Sequence, residues 1–284
     1  MTAEGLHGLL QGWAFAVSLA VGSFLNVVIA RMPEDRSVVR PGSMCPACGH
    51  QIRWYENIPV LSWIGLRGKC SGCGIPISPL YPAIELLTGV LGLLLFRRLV
   101  PDFMAVDAGH LAAWGIFLVF VAMQIANTFI DLRHRILPDE LTIYAAPFGV
   151  GAALLLQWLG YEGPLGITWQ QSVVGSLAGG GVLLLLILGY WVFRRTQGMG
   201  FGDVKLLLAY GAFLGLWAVP PILMIGALSG LMVGIPLMVI KGRGLRLEMP
   251  FGPFLVLGAV VWVYFGDALV DWWLPYNSIM SGGL

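Results

Sequence analysis

Charge is what this 284-residue chain has least of: 11% of its residues are Asp, Glu, Lys or Arg, 58% are apolar, and the mean hydropathy is +0.83. That composition excludes a soluble globule, in which about a quarter of the residues carry charge. With 16 basic and 15 acidic residues and a formal net charge of +1, there is no basic footprint for nucleic acid. The abundance of apolar residues excludes a disordered chain. Cysteine is scarce as well, and its four copies, Cys45, Cys48, Cys70 and Cys73, fall within 29 residues. They form one local feature and cannot staple the whole chain. No Gly-x-Gly-x-x-Gly follows a strand pattern, so a dinucleotide cradle finds no support.

What the chain does have is length of apolar run. A bilayer core of about 30 Å needs roughly 20 apolar residues per helix. Eight stretches qualify, at 9–30, 81–96, 111–130, 141–159, 173–193, 204–219, 222–240 and 253–273, the second and sixth being short. The expected fold is an all-α polytopic membrane protein of about eight transmembrane helices with a small cytoplasmic zinc-binding loop domain. Its predicted parts are a first transmembrane helix at 1–30, a cytoplasmic zinc-knuckle loop at 31–80, and a helical bundle at 81–284. The first span reads as an anchor, since no basic residue precedes it and Arg31 follows it.

Loop charges orient the spans. With the N-terminus outside, the cytoplasmic side collects Arg31, Arg36, Arg40, Arg53, Arg67, Lys69, Arg133, Arg135, Arg194, Arg195, Lys205, Lys241, Arg243 and Arg246. Only Arg97 and Arg98 fall outside, a split of fourteen to two that predicts both termini outside the cytosol. Helix packing is expected at Gly175-x-x-x-Gly179, with Gly180 and Gly181 beside it, because small residues permit close backbone approach where lipid removes the hydrophobic drive.

The cysteines form two Cys-x-x-Cys pairs with 21 residues between them, close to the spacing of a four-thiolate zinc site. Gly49 and Gly74 directly follow the second cysteine of each pair and suit the left-handed backbone of such turns. In a reducing cytosol a metal is favoured over disulfides. Four ligands leave no open position, so this metal is expected to be structural and His50 to be a surface residue.

Burying an acid in a membrane costs several kcal/mol, so acids there mark chemistry. Asp131 sits where the third span ends and Asp203 where the sixth begins, after glycines at 198, 200 and 202, and the topology puts both on one face. Helix capping for Asp203 and an interfacial ion pair of Asp131 with Arg133 or Arg135 are the plain structural alternatives. Two carboxylates brought together cannot both ionise cheaply, so one becomes a base and the other keeps a proton, as an aspartyl protease requires. Asp139 and Glu140 read as structural, with Asp139 starting the fourth helix. Glu85 lies within the second span.

In these residues the chain resembles the bacterial type IV prepilin peptidases, which are Gly-x-Gly-Asp membrane aspartyl proteases. The resemblance runs from Gly22-Ser-Phe-Leu-Asn26 and Pro41-x-Ser43-x-Cys45 through Glu56-Asn57-Ile-Pro59, Arg67-Gly-Lys69-Cys70 and Tyr81-Pro82-x-x-Glu85. It continues at Asp131, at Leu137-Pro138-Asp139 and at Gly200-Phe-Gly202-Asp203. It implies removal of the basic leader from type IV prepilins or type II secretion pseudopilins at the cytoplasmic face of a bacterial inner membrane, with Asp131 and Asp203 as the catalytic pair. It also implies methylation of the new N-terminus with S-adenosylmethionine, for which Glu56, Asn57 and Glu85 are the polar residues to test. Its expected partners are substrate helices within the bilayer, with Glu34, Asp35 and Glu56 available to a basic leader. The alternatives are a protease without methyl transfer, or a transporter using the same acids as an ion relay.

Overall fold

A computed structural model describes residues 3–101, 106–194, 200–241 and 249–273. The described residues are mainly helical and contain no strand beyond two isolated bridges. The chain divides into two compact units, Met1–Pro138 and Asp139–Leu284.

In the first unit α1 (Ala3–Arg31), α3 (Leu80–Leu99) and α4 (Ala108–His134) are long helices, and the short α2 (Leu61–Gly65) lies in the loop between α1 and α3. Small residues let α1 and α3 approach closely: a Cβ on Gly22 would stand 2.8 Å from the Glu85 Cα, and one on Gly89 would meet Leu19. The indole of Trp114 on α4 joins all three helices. It donates to the Gly92 carbonyl of α3 and meets Phe96 of α3 edge-on and Trp13 of α1 at a tilt, with ring centroids 5.6 and 5.2 Å apart. Asp107 caps α4 by accepting the His110 N–H, and Arg135, at φ 56°, ends it with Pro138 close behind.

In the second unit α7 (Phe201–Leu214) packs against α5 (Ala145–Trp158), α6 (Trp169–Arg194) and α9 (Gly252–Trp273), while α8 (Val219–Lys241) pairs with α9. The predicted glycine packing is present. A Cβ on Gly175 would meet the Gly211 carbonyl oxygen at 2.4 Å, and one on Gly179 would meet that of Leu207 at 2.3 Å. Two hydroxyls of α6 tie the same face to α7, Ser172 donating to the Ala212 carbonyl and Ser176 to that of Leu208. Each of the eight predicted stretches contains a helix, and among the described residues seven helical segments are long and apolar enough to cross a membrane. The exception is α7, whose 14 residues span about 21 Å. Gly215, at φ 78°, stops it.

Candidate metal centre and catalytic acids

The segment Arg31 to Leu80 folds around its cysteines. Each Cys-x-x-Cys turn is built alike. Cys45 N–H donates to the His50 carbonyl and Cys70 N–H to that of Ile75, both at 2.9 Å. Gly49 and Gly74 donate back to Cys45 and Cys70, and both glycines stand at φ +71°, the left-handed backbone expected of them.

The two turns face each other so that all four sulfurs lie within 4.8 Å of one another, with Cys45 and Cys73 at 3.9 Å and Cys48 and Cys70 at 4.0 Å. Sulfurs around a tetrahedral ion at about 2.3 Å stand about 3.8 Å apart, so the arrangement fits a four-thiolate metal centre. All four thiols are free, and no disulfide forms among them. The backbone N–H groups of Cys48 and Ala47 lower the Cys45 pKa to about 6, favouring the thiolate a metal needs.

His50 is more than a surface residue. Its Nε2 lies 3.1 Å from both the Glu56 carboxylate and the Ser71 hydroxyl, bridging the first knuckle to the second. Glu56 also accepts the Arg53 N–H at 2.9 Å. The Ser71 hydroxyl, the Arg53 N–H and His50 together hold the Glu56 carboxyl at about 2. Asn57 follows at the end of the same 3-10 turn. Glu85 is buried at 8% exposure and accepts the Val60 N–H at 2.7 Å, while Asn26 donates to the Tyr81 carbonyl. Sequence patterns did not reveal the Glu85 and Asn26 ties, because each partner there is a backbone group.

Asp131 occupies the last turn of α4 and is 6% exposed, which is not the setting of a solvated interfacial ion pair. One and two turns earlier lie Asn127 and Gln124, both fully buried, which the sequence reading passed over. Their signal was three polar residues at helical spacing, 124, 127 and 131, in an otherwise apolar helix. Asp203 is not a helix N-cap. Gly200 holds that position, and Asp203 lies in the first turn of α7 at 7% exposure. Gly198 lies outside the described residues. Asp139 begins a 3-10 turn before α5 rather than α5 itself, and pairs with Lys205 of α7. Asp131 and Asp203 belong to different units, and each is described within its own.

Comparison with known proteins gives two family matches: the bacterial peptidase A24 N-terminal domain over residues 16–99 and the type IV leader peptidase family over residues 118–235. A protein of Aeromonas salmonicida strain A449 is 38% identical over 96% of both chains. One of Myxococcus xanthus strain DK1622 is 40% identical over 86% of this chain and 69% of its own, and one of Dichelobacter nodosus is 38% identical over 87% and 88%. All three are named prepilin leader peptidase/N-methyltransferase. No solved structure matches the chain.

Proposed function

The chain belongs to the type IV leader peptidase family, and on that premise we propose that it cuts the leader from prepilins or pseudopilins and then methylates the new N-terminal amine. The observation that carries the peptidase reading is the burial of Asp131 and Asp203, each under a tenth exposed in a chain with few charges.

The two acids act on one water. The carboxylate member takes a proton as the water oxygen attacks the scissile carbonyl, the protonated member donates a hydrogen bond to the carbonyl oxygen, and the amine departs with a proton.

The metal of the cysteine cluster is zinc, held by Cys45, Cys48, Cys70 and Cys73; it organises a segment too small to bury a core of its own. S-adenosylmethionine supplies the methyl group for the second activity. The protein lies in a bacterial inner membrane with residues 31–80 and the acids at the cytoplasmic face and both termini outside. The fourteen-to-two split of basic residues supports this orientation. It requires α7 and the following 3-10 turn, Leu216–Ala218, to cross together as a segment of about 27 Å.

The test presents the purified full chain with a prepilin bearing its leader. Asp131→Asn and Asp203→Asn are each expected to slow cleavage about a hundredfold or more. A normal rate in either variant removes that residue from the catalytic pair.

A further inference from the structure

On the face of α1 turned away from α3, the first unit contains a pocket of about 280 Å³. One wall is the C-terminal part of α1, with Ser23, Phe24 and Arg31; the other is loop, with Val39, Ser43 and Asn57. This is close to the lower limit for small-molecule sites, and the lining is of that kind: apolar walls with a few polar groups.

The pocket is built rather than incidental. Arg31 donates to the carbonyls of Ser37, Pro41 and Gly42, at 3.1, 2.7 and 3.2 Å, and straps the loop wall onto the helix end. Ser43 leads directly into the first cysteine knuckle, and Asn57 follows Glu56, which is tied to His50. The metal centre therefore holds both loop stretches that close the pocket.

The lining also restricts the ligand. Arg31 is the one charged side chain in it, and no carboxylate faces the space. A guanidinium has five N–H donors, and three are used on the strap, which leaves two for an anionic group. The Phe24 ring is half exposed, free to stack on a flat heterocycle, and Ser23, Ser43 and Asn57 supply partners for hydroxyls. A carboxylate, a ribose and an aromatic base in one molecule describe an amino-acid nucleoside.

We propose that this pocket binds the methyl donor, an adenosyl amino acid, with Arg31 on its carboxylate and Phe24 on its base. The proposal rests on the methyltransferase reading above. It assigns the second activity to residues in and around the 16–99 match, apart from the 118–235 match that contains both acids.

The experiment measures equilibrium binding of radiolabelled S-adenosylmethionine to the detergent-purified full chain. Ser23→Phe, which fills the pocket, is expected to weaken binding at least tenfold. Leu86→Phe, at an exposed position on α3, serves as the control and is expected to bind as the parent does. Independently of any variant, ultraviolet crosslinking of the bound donor to the unaltered chain should label peptides within 20–31, 38–43 or 57–59. Equal binding by Ser23→Phe, or labelling confined to 118–235, overturns the pocket assignment while leaving methyl transfer standing. A parent chain that neither binds the donor nor methylates a cleaved pilin overturns the methyltransferase reading, and the pocket assignment falls with it.

Discussion

The backbone N–H of Val60 donates to the buried carboxylate of Glu85 at 2.7 Å, fastening the cysteine-bearing segment to α3. Val60 stands at φ 63°, a positive value that a β-branched residue adopts only when its surroundings impose it. Truncation by Glu85→Ala leaves this N–H without its acceptor and is expected to cost about 1–3 kcal/mol. Thermal unfolding reads the loss, and limited proteolysis should show new cuts between residues 53 and 67. Glu85→Gln, which keeps an acceptor oxygen, should restore most of the protection.

Gly211 and Gly181 make a matched pair for the α6 and α7 contact. A Cβ on Gly211 would lie closer to the Gly175 carbonyl oxygen than any real contact allows, whereas one on Gly181 meets nothing within 4 Å. Gly211→Ala is expected to destabilise by about 1–3 kcal/mol or more through forced backbone separation. Gly181→Ala should be neutral or stabilising by up to about 1 kcal/mol, from helix propensity alone. Thermal unfolding in one detergent compares the two directly.

Removing the metal should unfold the knuckles and spare the helices. Chelation, or Cys48→Ser, is expected to expose residues 31–80 to protease while far-ultraviolet circular dichroism changes little. Metal analysis of the purified chain should find about one zinc per chain. Unchanged protection after complete metal removal contradicts this role.

Glu56 predicts a pH-dependent stability. Its carboxyl is held at about 2 in the folded chain against an ordinary 4.5, so the folded state binds fewer protons between those values. The stabilisation is present in full above about pH 4.5 and is lost as the pH falls through about 2. Acid also protonates the thiolates, so the quantity to read is the difference between the parent and Glu56→Gln. Hydrogen exchange at residues 50–57 should show a gap between them at pH 6 that closes on acidification.

Asp139 is the control for the catalytic acids. Its carboxylate is half exposed and paired with Lys205, a setting in which an ion pair contributes about 1 kcal/mol or less. Asp139→Asn should therefore cleave a prepilin at close to the parent rate, where Asp131→Asn does not. A loss as large as that of Asp131→Asn would move Asp139 into the catalytic machinery.

Much of this protein was determined by its sequence alone. Apolar runs must become helices in a bilayer, because the backbone has no other way to satisfy its hydrogen bonds there, and each of the eight runs contains one. The Cys-x-x-Cys-Gly pattern was as legible, since so short a turn dictates both where the sulfurs point and where the left-handed glycine falls. Tertiary structure alone decided what depends on backbone partners far apart in the chain. The Arg31 strap and the Glu85 bond to Val60 join side chains to backbone groups that carry no mark of their own in a sequence, and the His50 bridge joins side chains that no local spacing pairs. The same holds for the first turn of α7. The glycines before Asp203 permitted several helix starts, and the one adopted makes Gly200 the cap, leaving a buried carboxylate where a capping one was equally legible.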